Sequence, residues 1–189
     1  YSVVRYALEA PYNANAEQIK NCDVVFIAVP TPSTPEGFDV SIVEEVLALV
    51  GEGSVAVIKS TLLPGTTRKL QDKHPRKIIL FSPEFLCEQT AAYDVAHPFM
   101  NIIGLAYDSA GHRKVAESVK AVLPKAEHNF IVSAQAAELF KYAHNLNGYF
   151  RVMLANLLYN VAMTQGTEWG DVKVMMDNDL MMSPYYNSP

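Results

Sequence analysis

Two carboxylates stand four residues apart in the stretch FSPEFLCEQTAAYD, residues 81–94. Glu84 and Glu88 follow an apolar run and Pro83, the pattern of a buried strand that has just ended. In a doubly wound sheet the ligand binds beyond the carboxyl ends of the strands, so acids at this place are candidates for contact with a ligand. The same acids also suit an exposed turn, and the spacing alone leaves both interpretations open.

Two further stretches follow apolar runs in the same way. In VPTP, Pro30 and Thr31 can lie against a flat cofactor, although a plain strand-ending turn has the same composition. In KSTLLPGTT, Thr61 offers a hydroxyl, and the helix that begins near Gly65 offers N–H groups that can hold an anion. Simple capping of that helix explains the same residues equally well.

The fourth stretch, ELFKYAHN, lies within a long helical pattern. Lys141 and Asn145 are four residues apart, so a helix stacks an ammonium and an amide on one face. Both groups are hydrogen-bond donors, which makes the pair a candidate for ligand binding. A solvated edge of the helix would show the same pair.

These stretches must be positioned by the elements between them. Short, often β-branched apolar runs alternate with amphipathic stretches, which predicts an α/β fold with a doubly wound, mainly parallel, Rossmann-like sheet. The predicted strands cover residues 1–8, 23–29, 54–59, 77–81, 101–105 and 129–132, and predicted helices follow Asp39 and Gly65 and span residues 110–122.

From Ser133 the pattern changes to a single helical stretch, residues 134–164, that contains no proline. A helix of this length usually opens an all-helical second domain or forms an oligomer interface. We therefore predict a Rossmann-like domain over residues 1–132 and a central helical region over residues 133–189.

The composition argues against several classes of partner. The chain has 189 residues and a formal net charge of -5, and it carries no basic stripe that would bind nucleic acid or a membrane surface. No apolar run approaches the roughly 18–20 residues that cross a bilayer. Because Cys22 and Cys87 form no disulfide or metal pattern, and the histidines have no metal-ligand spacing, we predict a cytoplasmic protein without a metal site.

The four stretches, taken in order, carry a resemblance to a known family. The chain reads VVFIAVPTP, KSTLLPGTT, SPEFLCEQTAAYD and ELFKYAHNLNGYFRVMLAN. These resemble VxxxVxTP, KSTxxPGT, NPEFLxEGxAxxD and ELxKYxxNxxxAxRxxxxNE of the UDP-glucose/GDP-mannose dehydrogenase family, at similar intervals. The sequence departs from the family pattern at Ser82, Gln89 and Leu157, none of which is a position to which we assign chemistry.

The resemblance implies NAD-dependent oxidation of the C6 alcohol of a nucleotide sugar, UDP-glucose first among them, to the uronic acid used in polysaccharide biosynthesis. Two hydrides pass to two NAD molecules. A cysteine thiolate of the family holds the intermediate aldehyde as a thiohemiacetal, and the thioester formed next is hydrolysed by water. The family also implies a homodimer formed through the long helix.

The resemblance also assigns the chemical roles. Lys141 and Asn145 match the pair that stabilises the oxyanion on the sugar carbon. Thr61 and Glu84 match the residues that position the hydrolytic water, and Glu84 is the expected acid or base.

The binding roles follow in the same way. Glu88 matches a carboxylate near the nicotinamide, and Pro30 and Thr31, with Thr61, match the cofactor side. The backbone at Phe85 and Leu86, together with Glu84, Lys141 and Asn145, matches the strip that lines the sugar.

Two parts of the family pattern are expected outside these residues, so residues 1–132 would form an incomplete NAD-binding domain. The GxGxxG turn is expected before residue 1. The sequence GEGSVA, residues 51–56, fits GxGxxA but lies after a helix and before a strand, so we interpret it as a turn. The nucleophilic cysteine is expected beyond residue 189, after SPYYNSP, because Cys22 and Cys87 are not credible substitutes.

Two other hypotheses stay open. A single-oxidation β-hydroxyacid dehydrogenase also pairs a Rossmann domain with a helix that bears Lys and Asn four residues apart, but it needs no glutamate that activates water. A shortened, catalytically silent relative would serve as a binding or assembly module, and the length of the chain favours it.

Overall fold

The apolar runs of the sequence form strands, and the amphipathic stretches between them form helices. The structure, a computed structural model, describes residues 1–179, 181 and 182. The strands are β1 (Val24–Ile27), β2 (Ser33–Thr34), β3 (Gly37–Phe38), β4 (Val55–Ile58), β5 (Ile78–Phe81), β6 (Met100–Leu105) and β7 (His128–Ser133). The helices are α1 (Ala16–Ile19), α2 (Ser41–Leu49), α3 (Thr66–Lys73), α4 (Ala91–Ala96), α5 (Ala110–Lys120), α6 (Ala134–Gln165) and α7 (Trp169–Asn178).

The main sheet of the described residues has the strand order β1-β4-β5-β6-β7. Neighbouring strands run parallel except for β5 and β6, which pair antiparallel, and β2 and β3 form a separate small hairpin. The predicted doubly wound, mainly parallel α/β fold is therefore confirmed. The antiparallel pair was not predicted, because a local apolar pattern carries no information about strand direction.

The central strands β4 and β5 are buried on both faces. On one face α2 and α3 cover them, with Leu47 and Leu70 in the same apolar cluster as Ile58. On the other face Val119 of α5 belongs to a second cluster with Val57 of β4. Burial of both faces explains the continuous apolar runs by which β4 and β5 were predicted. Each fully buried aliphatic side chain of this kind stabilises the fold by about 1.5–3 kcal/mol.

The predicted strand over residues 1–8 is wrong, because this segment forms no strand. Val4 and Tyr6 pack against the core, but Leu8 is exposed. An amphipathic pattern alone does not make a strand, which also needs a neighbour in the ladder. A cleft of about 1360 Å³ lies between this segment and β1, which is the edge strand of the described sheet and leaves Phe26 45% exposed.

The chain divides into two compact units, Tyr1–Lys141 and a second that begins at Tyr142. In the second unit, α7 follows α6 after a short turn, and the rings of Tyr159 and Trp169 meet edge to face at 5.7 Å. The sequence pattern had not indicated α7. The predicted domain boundary after residue 132 stays a prediction.

Two sequence-based expectations concern the remaining parts of the chain. Residues 183–189, the SPYYNSP stretch, lie outside the described residues. Within the part that the structure describes, no helix combines the length and the apolar character that crossing a membrane requires.

The close approach of β6 to the start of α6 generates a first prediction. A Cβ added to Gly104 would lie 2.7 Å from the Cα of Ala134 and 3.1 Å from the Cβ of Ala137. Because backbone cannot move aside as a flexible side chain can, we expect Gly104→Ala to lower the free energy of unfolding by about 1–3 kcal/mol in chemical denaturation.

Gly111→Ala is the matched control, because its Cβ would meet only the Ser109 hydroxyl at 3.8 Å. This residue lies in the first turn of α5, where alanine favours the helix by up to about 1 kcal/mol. Equal stability of the two variants would contradict the close approach.

Candidate active site

The carboxyl ends of β1, β4 and β5 lie side by side at one edge of the sheet. Ile58 of β4 pairs with Ile27 of β1 on one side and with Phe81 of β5 on the other. The backbone ladder continues past the strands, because the N–H of Lys59 donates to Ile27 and that of Ser82 donates to Ile58, both at 2.8 Å. The VPTP, KST and SPEFL stretches therefore begin at the same level of the sheet.

Hydroxyl groups join the VPTP turn to the KST stretch. The Ser60 hydroxyl donates to the carbonyl of Val29 at 2.7 Å and accepts from its N–H at 2.8 Å. The Thr31 hydroxyl donates to the carbonyl of Thr61 at 2.8 Å. Two residues predicted to line the cofactor are thus in direct contact, and Pro30 stands exposed beside them.

Glu84 is held by a lysine that the sequence interpretation missed. The ammonium of Lys59 lies 3.0 Å from the Glu84 carboxylate and donates to the Ser82 hydroxyl at 3.2 Å. The Lys59 side chain is 15% exposed and that of Glu84 is 39% exposed. A lysine at the end of a buried strand needs an acidic partner, and this requirement is a signal that could have led to Glu84.

Lys141 of α6 reaches the same place from the other side. Its ammonium donates to the backbone carbonyl of Glu84 and lies 5.3 Å from the centre of the Phe85 ring. The rings of Phe85 and Phe140 meet edge to face at 5.6 Å. Burial lowers the pKa of Lys141 below its ordinary value of 10.5, and the Glu84 carboxylate opposes that shift.

The structure therefore brings several of the predicted site residues to one edge. Lys141 contacts Glu84 directly, and Thr31 contacts Thr61. Thr61 follows the last residue of β4 by three positions, and Glu84 follows the last residue of β5 by three positions. These two strand ends lie opposite each other in the sheet. The catalytic roles of these residues stay predictions.

The N–H groups at the start of α3 are not open to an external anion, and no local side chain caps this helix, whose N-cap is Gly65. The carboxylate of Glu138, which is fully buried, accepts from the N–H of Gly65 at 2.5 Å and from that of Thr67 at 2.8 Å. The Thr67 hydroxyl donates to it at 2.6 Å. The sequence interpretation missed Glu138, although an acid four residues after Ala134, on the apolar face of a helix, is a signal of a buried carboxylate.

The loop that carries the two acids is ordered by Asp94. Its carboxylate accepts from the N–H of Cys87 at 2.9 Å and from the Thr90 hydroxyl at 2.7 Å. The hydrogen bond from the Cys87 backbone is the larger cause and that from the Thr90 hydroxyl the smaller one, and both lower the pKa of Asp94 below its ordinary value. Glu88 opens a short 3-10 turn in this loop, Glu88–Thr90, and is exposed, as is Leu86.

Asn145 belongs to the second unit, where it lies exposed on α6. It follows Lys141 by four residues in the same helix, as the sequence pattern predicted. Its role toward a ligand of the first unit stays a prediction.

The described residues offer groups that can line one side of a dinucleotide, namely the VPTP turn and Thr61. They offer no set of open N–H groups that would hold its pyrophosphate. A pyrophosphate is usually held by open N–H groups at a helix N-terminus that follows a glycine-rich turn. Gly51 and Gly53 lie in a turn at the amino end of β4, away from the carboxyl edge. The first N–H groups of α3 are taken by Glu138, and Asp39 places a carboxylate at the start of α2, 2.8 Å from the N–H of Ser41.

The groups available to line a cofactor are therefore the VPTP turn and Thr61. Among the residues that the structure describes, no group of three or more His, Cys, Asp or Glu side chains could hold a metal ion.

Comparison with known proteins gives a consistent picture. Residues 4–123 match the sequence model of the UDP-glucose/GDP-mannose dehydrogenase family, NAD binding domain. The chain is 29% identical over 176 residues to the UDP-glucose 6-dehydrogenase AglM of Haloferax volcanii, covering 82% of this chain and 41% of the relative. It is 28% identical over 193 residues to the GDP-mannose 6-dehydrogenase of Pseudomonas aeruginosa, covering 90% and 43%. The chain thus spans about two-fifths of the length of these relatives.

Solved structures agree. A UDP-glucose dehydrogenase from Pyrobaculum islandicum superposes with a TM-score of 0.78 at 26% identity, covering 91% of this chain and 43% of that one. A 3-hydroxyisobutyrate dehydrogenase from Mycobacterium tuberculosis gives a TM-score of 0.65 at 16% identity, covering 89% and 55%. At that identity the second likeness shows a shared fold alone.

The ion pair at the end of β5 generates the second prediction. Lys59→Met leaves the partly exposed Glu84 carboxylate without its ammonium, so we expect the free energy of unfolding to fall by about 1–2 kcal/mol in urea denaturation. Lys73→Met is the matched control, because its pair with Glu44 has a lysine side chain that is 62% exposed. An exposed pair contributes about 0.5 kcal/mol or less. Equal losses in both variants would mean that the Lys59–Glu84 pair contributes no more to stability than an exposed ion pair does.

The buried ammonium of Lys141 generates the third. Because burial lowers its pKa in the folded state, the unfolded chain binds this proton more tightly, and Lys141 disfavours folding at neutral pH. We expect Lys141→Met to be at least as stable as the parent at pH 7. The stability of the parent relative to the variant should rise as the pH approaches 10.5 from below. A difference in stability between parent and variant that stays constant from pH 7 to 10.5 would contradict the shift.

Proposed function

Since the chain belongs to the UDP-glucose/GDP-mannose dehydrogenase family, we propose that the natural protein oxidises the C6 alcohol of a nucleotide sugar, UDP-glucose first among them, to the uronic acid. The matched domain of the family binds NAD, which is the cofactor. NAD, when bound, accepts a hydride from the reacting carbon of the sugar. The residues of this chain then bind, orient and move protons around that carbon.

One observation carries the proposal: Lys141 of α6 meets Glu84 at the end of β5, on the edge where doubly wound sheets bind ligands. The two residues are 57 positions apart in the sequence and contact each other only because the fold joins them. A nucleotide-sugar dehydrogenase needs both a donor for an oxyanion and an acid or base for water. The contact of the Lys141 ammonium with the Glu84 backbone brings together the two residues that carry these groups.

Lys141 and Asn145 are assigned to the developing oxyanion. The Lys141 ammonium already donates to an oxygen, the Glu84 carbonyl. The ammonium is partly buried next to the apolar ring of Phe85, and such surroundings strengthen its attraction for a negative charge. Asn145 adds an amide donor one turn further along α6. A donor fixed before the reaction needs no reorganisation when the charge develops.

Glu84 and Thr61 are assigned to the water that completes the second oxidation. Lys59 fixes the Glu84 carboxylate on one side and leaves 39% of its side chain accessible, so an oxygen remains available to accept a proton from water. The Thr61 carbonyl is fixed by Thr31, which sets the conformation from which its hydroxyl can hold the same water.

The remaining assignments concern binding. Pro30, Thr31 and Thr61 line the cofactor at the ends of β1 and β4, and Glu88 lies on the nicotinamide side. The backbone at Phe85 and Leu86 lines the sugar. The exposure of Leu86 and the order that Asp94 gives to this loop support a surface prepared for a ligand.

Two further parts of the proposal concern assembly and location. Apolar residues of α6 within the second unit, Leu146, Tyr149, Phe150 and Leu157 among them, are exposed, which supports a homodimer through this helix. A cytoplasmic location, predicted from the two cysteines, belongs to the same proposal.

The test uses the product of the complete reading frame that contains these residues. We expect it to form two NADH per sugar with UDP-glucose or, as the second choice of substrate, with GDP-mannose, measured by absorbance. Lys141→Met should lower kcat by about 10²–10³-fold because an oxyanion donor is lost. Lys114→Met, an exposed lysine on α5, is the matched control and should leave kcat unchanged.

The same assay separates the alternatives. One NADH per molecule of a β-hydroxyacid would replace the proposal with a single-oxidation dehydrogenase. No NADH with any of these substrates from a folded protein would leave a binding or assembly module.

A further inference from the structure

Glu138 is a fully buried carboxylate that none of the roles above uses. Its three hydrogen bonds all come from the first residues around α3, two from backbone N–H groups and one from the Thr67 hydroxyl. Removing a carboxylate from water is costly unless its surroundings compensate the charge. Here the compensation comes from these donors and from the positive end of the α3 dipole.

A local cap would satisfy the same N–H groups without burying a charge. Ser, Thr, Asp or Asn at the N-cap is the usual solution. This chain instead has Gly65 at the N-cap, in the left-handed region with φ of 91°, and it takes the acceptor from a helix 73 residues further on. The distant cap therefore does something that a local one cannot, which is to join α6 to the loop that precedes α3.

The two elements joined in this way carry two residues of the proposed site. Lys141 follows Glu138 by three residues, one turn along α6, and Thr61 precedes Gly65 by four residues in the loop. The rotation of α6 at Glu138 determines where the Lys141 ammonium lies, and that ammonium contacts the Glu84 carbonyl. A displacement of about 1 Å in such a group can lower a rate 10²-fold.

We propose that Glu138 is a positioning residue: its carboxylate fixes the turn of α6 that carries Lys141 to the loop that carries Thr61. The catalytic consequence rests on the function proposed above. The link between α6 and the loop does not, so it has its own readout.

The first experiment measures the link in the protein as it exists, without catalysis. Acylation of lysine amines is followed residue by residue with mass spectrometry. In Glu138→Gln, an isosteric change that removes the charge, we expect Lys141 to be acylated about tenfold faster because local opening exposes its amine. Thr67→Val, which removes one donor and keeps the charge, should shift the rate in the same direction by a smaller factor.

Gln71→Ala is the matched control. The Gln71 side chain is also buried on α3 and also makes hydrogen bonds, to the N–H of Ile79 and the carbonyl of Lys77, but these lie away from α6. We expect it to lower stability without changing the acylation rate of Lys141. Equal rates in Glu138→Gln, Thr67→Val and Gln71→Ala would overturn the proposal, whatever the enzyme assay gives.

The second experiment is a double-mutant cycle on kcat in the complete protein. Glu138→Gln alone should lower kcat about 10²-fold. Added to Lys141→Met, the same change should lower kcat by less than about threefold further, because the residue that it positions is already gone. The Gln71→Ala control should keep kcat within about threefold of the parent.

The outcomes separate the two proposals. A parent protein that oxidises no nucleotide sugar, in which Glu138→Gln still frees Lys141 selectively, would end the proposed function and keep the link. An active parent in which the losses from Glu138→Gln and Lys141→Met multiply would end the positioning role and keep the function.

Discussion

The parallel pairing of β4 with β5 is the constraint on which the candidate site depends. Ile58 stands opposite Phe81, and both side chains are fully buried. Because both faces of these strands are closely packed, a slip of one residue would force side chains of different size into each core cluster, so packing specifies the register. The same register brings Lys59 beside Glu84, and the geometry of the charged groups is therefore inherited from the packing of the core.

Charges around this edge are compensated one at a time. Lys59 meets the Glu84 carboxylate, whereas Glu138 is compensated by N–H groups and a helix dipole rather than by a lysine. The direct partner of Lys141 is a neutral carbonyl. Lys141 thus has a weaker hydrogen-bond acceptor than Lys59, whose partner is a carboxylate. A ligand oxygen that gains negative charge would be a stronger acceptor for the Lys141 ammonium than the carbonyl is.

Much of the fold and part of the site could be predicted from the sequence. Apolar runs identified β4 and β5 because a strand buried on both faces has no polar positions. The same signal failed at residues 1–8, which form no ladder with β1. The sequence pointed to Lys141 only through the family motif, because its contact with Glu84 joins segments 57 residues apart and no local pattern predicts such a contact. Glu138 was missed because its partners lie 71–73 residues away, beyond the reach of any local periodicity.

The edge position of β1 has a consequence for handling this polypeptide in solution. An outer strand of four residues with a solvent-facing aromatic ring offers backbone donors and acceptors to any strand that approaches it. Pairing of this kind between two copies would leave the fold of each copy intact. A charged residue in place of Phe26 would discourage this pairing, because a charge on an edge strand disfavours its association with another strand.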